Sequence, residues 1–145
     1  MISNRHDKNR QESRRINRLI RAAGPNFIPI RVDEANQIIH GLLEAGDAAY
    51  GTVLSYERSG RGLQLTVFLH VGAPLSAADR AVLDRLQDAA KLSRFDGREA
   101  HERLKLRAGS VMTSVRRAGY VVKQLIRDVQ AILADSRLQG LLAHA

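Results

Sequence analysis

Arg10, Arg14, Arg18 and Arg21 recur at helical spacing near the start of the chain. With Arg5, Lys8 and Arg15 they give residues 1–22 seven cations against two acids. Guanidinium forks pair with phosphate through two parallel hydrogen bonds, so four of them on one side of a helix can follow a phosphate backbone. A second concentration of charge lies at residues 91–127, with ten Lys or Arg against three acids. It includes Arg98, Lys105, Arg116, Arg117, Lys123 and Arg127. Residues 31–90, between the two, are mildly acidic. Two basic segments flanking an acidic middle are the charge pattern of a protein that meets a polyanion, most often nucleic acid, DNA or RNA. The competing readings are a solubilising arm for the first segment and a solvated face for the second. On the second, a purely solvated face would mix Glu with Lys, and only Glu102 intrudes.

Other chemistry finds little footing. His6, His40, His70, His101 and His144 show no spacing suited to a metal, and the phosphate-loop, nucleophile-elbow and dinucleotide motifs are missing. The reading is therefore of a non-enzymatic protein with no cofactor, no metal and no small-molecule ligand. The chain has 145 residues, 44% hydrophobic and 26% charged, with a formal net charge of +8, which suits one folded domain rather than a disordered chain. With no cysteine, no apolar run of membrane-spanning length and no secretory signal, the expected setting is the cytoplasm.

The elements that must hold these cations follow from periodicity. Residues 1–13 read as a polar tail, and a helix begins near Arg10, with Ile16, Leu19, Ile20 and Ala23 opposite the arginines. Gly24-Pro25 stops it. Residues 27–32 form a short strand, placed at a sheet edge because Pro29 has no amide to donate. Asp33 then caps a helix over 34–45, with Ala35, Ile38, Ile39, Leu42 and Leu43 as its apolar stripe. Strict alternation over 50–57 and 63–71, around Ser59-Gly60-Arg61-Gly62, predicts a β-hairpin. Tyr50 and Tyr56 share strand parity, which fits core packing or a small stacking platform. Ser76 and Asp79 form a capping box that opens a helix over 77–93. From Arg98 to about Asp135 the chain reads as one helix, although Gly109 and Gly119 leave a strand and turn over 111–119 as the alternative. Leu104, Val111, Val115, Val122, Leu125, Val129 and Ile132 form a heptad seam on it, either joining two copies or covering the domain's own hairpin. Arg98, Lys105, Arg116, Lys123 and Arg127 then make a basic line, with Gly109 and Gly119 admitting a large ligand. The expected fold is α+β: an antiparallel hairpin, with a third edge strand, packed against two helices. A basic arm (1–24) precedes a single domain (25–145) that ends in the long helix.

Three partial resemblances accompany this reading. The segment around Arg10–Arg21 resembles the short arginine-rich RNA-binding helices of phage antitermination proteins. Phe27–Glu34 and the segment after it resemble the strand and first helix of ribbon-helix-helix repressors, until a hairpin takes the place of the second helix. The order helix, hairpin, helix resembles small homodimeric secretion chaperones, which are typically acidic where this chain is basic. The favoured function is phosphate-directed nucleic-acid binding in an accessory, packaging or regulatory role. The alternative is a protein-interaction module such as an assembly factor or a secretion-chaperone-like homodimer.

Overall fold

Alternating residues along the strands decide the architecture, because one parity is buried on four of the six strands and the other is not. The structure is a computed structural model that describes residues 2–56, 62–71, 73–86, 94–100, 103–111 and 118–142. Helix α1 (Ile2–Ala23) leads into strands β1 (Phe27–Asp33), β2 (Ile38–Ala45), β3 (Ala48–Tyr56) and β4 (Gly62–His70). Helix α2 (Ala77–Arg85) follows, then β5 (Arg94–Ala100), β6 (Arg103–Val111), α3 (Ala118–Leu133) and the short α4 (Ser136–Gln139). The six strands form one antiparallel sheet in the order β1-β2-β3-β4-β6-β5. The α+β class, the hairpin, the third strand and its edge position all hold.

The inner parity is apolar. Ile39 and Leu43 on β2, Leu54 on β3, Leu63, Leu65, Val67 and Leu69 on β4, and Leu104, Leu106 and Ala108 on β6 are all buried. Over them lie Ile16, Leu19 and Ala23 of α1, and Val122, Leu125, Val129 and Ile132 of α3. Helix α1 ends at Gly24, whose φ of +82° is the left-handed conformation that glycine supplies at a helix end. Ser76 and Asp79 make the capping box: Asp79 N donates to Ser76 Oγ at 3.2 Å and Ser76 N donates to Asp79 Oδ2 at 3.0 Å.

Four expectations are corrected. Residues 38–45 are a strand, not the body of a helix 34–45. An inner strand with apolar residues on both faces yields the same Ile38, Ile39, Leu42, Leu43 set as a helical stripe. Asp33 ends β1 instead of capping a helix, and its carboxylate accepts from Asn36 N at 3.1 Å and Asn36 Nδ2 at 2.8 Å to tighten the turn. These bonds from Asn36 hold its pKa below the ordinary carboxylate range. Residues 94–100 and 103–111 are a strand pair rather than the first half of a long helix, because Leu104, Leu106 and Ala108 alternate with Lys105, Arg107 and Gly109. The C-terminal helix therefore starts at Ala118. At the N-terminus, the helix already runs from Ile2 where a tail was expected. Helix α2 ends at Arg85, and residues 87–93 of the expected helix lie outside the described residues.

The proposed seam dissolves with the long helix. Leu104 sits on β6 and faces the core, while Val122, Leu125, Val129 and Ile132 cover the sheet of their own chain. Val111 ends β6 opposite Gly62, and Val115 lies outside the described residues.

Candidate nucleic-acid interface

Helix α1 is held by its apolar side, and this fixes where its cations point. Ile16 and Leu19 are fully buried, so the opposite arc faces solvent. Arg10, Arg14, Arg18 and Arg21 are all exposed and fall within about 80° of one another at 3.6 residues per turn. Arg15 stands apart, half-buried, with its guanidinium 5.8 Å from the centre of the Tyr56 ring. Ser13 Oγ donates to Glu34 Oε2 at 2.7 Å in the β1–β2 turn. Arg5 and Lys8 belong to the N-terminal turns of the same helix.

Helix α3 presents its outer side beside this stripe. It packs against α1 and against β4 and β6. Its buried residues, from Ala118 to Leu133, leave Tyr120, Lys123 and Arg127 on the opposite arc, within about 60°. Lys123 and Arg127 are exposed, and Tyr120 is 61% exposed. The single acid of α3, Asp128, is buried. The two helices come together where a Cβ on Gly119 would lie 3.6 Å from Ala22 Cβ. Gly119 therefore lies against α1 at the helix contact, where an alanine would also fit. Gly109 lies within β6, opposite Gln64, with Leu63 O at 3.7 Å from where its Cβ would be.

The basic line expected on one helix is thus divided between two sides of the molecule. Lys123 and Arg127 join the arginines of α1 on the outer side of the helical layer. Lys105 is exposed on the other parity of β6, 5.7 Å from the Phe68 ring centre, and Arg98 is its register partner on β5. Arg116 and Arg117 lie outside the described residues. Tyr50 and Tyr56 form no stacking platform. They share the inner parity, with Tyr56 in the core and Tyr50 packed against it. Burial pushes the Tyr56 hydroxyl above its ordinary pKa. Sequence reading passed over Tyr120, although its spacing of three and seven residues from Lys123 and Arg127 was visible.

Asp7 and Glu12 belong to α1 itself, and the other acids sit elsewhere. Glu34 lies in the β1–β2 turn, Glu44 and Asp47 at the β2–β3 turn, and Asp79 and Asp84 on α2. Asp7 shares the helical phase of the arginine arc, seven residues before Arg14; from Arg10 to Arg21, and on the outer arc of α3, no described side chain is acidic. A surface with this one-sided charge concentrates anions and is screened by salt. Among the described residues, no cluster of three or more His, Asp or Glu is arranged to hold a metal ion. No described helix is long and apolar enough to cross a membrane.

No family model matches the chain, and no curated protein does. Its fold resembles that of YbjN. That E. coli protein, described as "a putative transcription regulator", superposes with a TM-score of 0.56 at 11% identity. The match covers 79% of this chain and 87% of YbjN. At this identity the likeness is one of fold.

Proposed function

We propose that the protein is a non-enzymatic nucleic-acid-binding protein that grips the phosphate backbone with the outer face of α1 and α3. The observation that carries this reading is that Arg10, Arg14, Arg18, Arg21, Lys123 and Arg127 are all exposed on two helices packed against each other, with no acidic side chain described between Arg10 and Arg21 or on the outer arc of α3. From Arg10 to Arg21 the stripe is about 16 Å long at 1.5 Å per residue. A duplex presents roughly ten charges over that length, at one per 1.7 Å of axis. Five further basic residues belong to this reading: Arg5, Lys8 and Arg15 on α1, off the arc of the other arginines, and Arg116 and Arg117 just before α3. The YbjN label, a regulator, belongs to the same broad class of role.

Affinity for a mixed-sequence duplex or single strand is expected to fall as a power of salt concentration, with a slope equal to several released counterions. Arg14→Glu with Arg18→Glu and Arg127→Glu should lower affinity about tenfold or more and flatten that slope, while the melting temperature stays near the wild-type value. Wild-type binding that is indifferent to salt between about 50 and 200 mM rejects the reading.

A second reading, a protein-interaction module that pairs with another copy of itself, is favoured by β1. Three of the four large exposed apolar residues among those described, Ile28, Ile30 and Val32, lie on this edge strand, Ile30 being 67% exposed. Sedimentation equilibrium of wild type beside Ile30→Lys separates it from the first reading: a dimer lost in that variant would place the contact on β1.

A further inference from the structure

The open side of the sheet is a second basic surface, on the opposite side of the molecule from the helices. Its residues have the parity that no described helix covers: Ile38, His40 and Leu42 on β2, Val53 and Ser55 on β3, and Gln64, Thr66 and Phe68 on β4. Arg31 on β1 and Lys105 on β6 are exposed at its two flanks, with Arg107 half-buried and His70 exposed at the end of β4. Arg94, Arg98 and Arg103 stand in register with Gly109, Lys105 and His70 of the same parity, which also carries three acids: Asp96 opposite Arg107, Asp33 opposite Ile38, and Glu44 two residues after Leu42.

Further acids, with Glu44, lie at the boundary between the two surfaces. Glu34 is at one end of the sheet, Glu44 and Asp47 are at the other, and Asp79 and Asp84 are on α2 beside β5. A polyanion that wrapped from the helical side to the sheet side would have to pass these carboxylates, and like charges repel at close range. Two cationic faces separated by an acidic rim therefore form two sites rather than one continuous track. We propose that one chain holds two separate nucleic-acid segments at once, one on the α1–α3 face and the other on the open face of the sheet. This rests on the nucleic-acid-binding reading and adds bridging to it. Phosphate is the partner that fits both faces, because each offers several cations. On the sheet, the Phe68 ring beside Lys105 adds an apolar surface on which an unpaired base can stack.

The test uses the full chain and two duplexes of one mixed sequence, the first biotinylated on beads and the second fluorescent and free. Wild-type protein should retain the fluorescent duplex on the beads when protein is scarce relative to duplex. It should release that duplex when protein is in large excess, since every duplex is then coated separately. Arg31→Glu with Lys105→Glu should reduce retention about tenfold or more, while binding to a single duplex falls only a few-fold. Arg31→Ala with Lys105→Ala reads the same way if the reversed pair melts early. Undiminished retention by either sheet-face variant overturns the proposal and assigns bridging to contacts between protein chains. Binding of single duplexes by wild type without retention overturns bridging alone. No duplex binding at all overturns both this proposal and the reading beneath it.

Discussion

The two sides of this molecule carry cations in different ways. On the helical side they stand on one arc of α1 and one arc of α3, each helix fixed by fully buried residues such as Leu19 and Val122. On the sheet side, Lys105 and Arg107 are interleaved across strands with Thr66, Gln64 and Phe68, and Asp96 stands in register with Arg107. A helix gathers its charges on one outward arc and turns its other residues inward. A strand shares its open face with every neighbour in register, so its charges are diluted by whatever those neighbours carry. The helical side is therefore the stronger anion surface and the sheet side the weaker, broader one.

That contrast requires α1 to be part of the core, and the largest expected effect tests this. Leu19→Ala should cost about 2–5 kcal/mol of stability, as a fully buried leucine does when truncated, read from the denaturant midpoint. A loss near zero would make α1 a detachable arm and undo the fixed outward direction of its arginines. On the sheet side, Gly41→Ala is the next test. A Cβ there would lie 2.6 Å from Ile28 O and 3.0 Å from the Phe27 ring, so β1 must shift from β2. The expected loss is about 1–3 kcal/mol, with faster amide exchange along β1 than elsewhere in the sheet. Wild-type stability in Gly41→Ala would mean that the edge strand adapts freely, leaving the Arg31 flank of the open face without a fixed position. The smallest effect lies between the layers. Thr52 Oγ1 is buried without a hydrogen-bond partner, so Thr52→Val should stabilise by about 1 kcal/mol and raise the melting temperature. A lower melting temperature would show that the hydroxyl is satisfied after all.

Local signals made much of this frame legible. Gly24-Pro25 ended α1, Pro29 marked an edge strand, and the alternation around residues 50–71 gave β3 and β4. Helix 34–45 was misread because β2 is an interior strand with apolar residues on both faces, so its pattern fits 3.6 residues as readily as two. Gly41 was the contrary signal, a residue with low helix propensity in mid-segment, needed because Ile28 O approaches so closely. The misreading of 98–111 was avoidable. Leu104-Lys105-Leu106-Arg107-Ala108 alternates strictly, but sparse sampling every seven residues imitated a heptad. Of the candidate interface, the arginine stripe was readable from spacing alone. Its union with Lys123 and Arg127 was not, because it depends on how two helices sixteen or more residues long settle on one sheet.

Ala22 and Gly119 meet at the helix crossing with almost no side chain between them. The distance from the α1 arginines to Lys123 and Arg127 is thereby set by two residues that touch no phosphate under the proposed function. An alanine at Gly119 would still fit in ordinary contact, but a side chain larger than alanine at either position would spread the rows and change the gauge of the track, so the width of polyanion that fits could drift while every cation stayed in place.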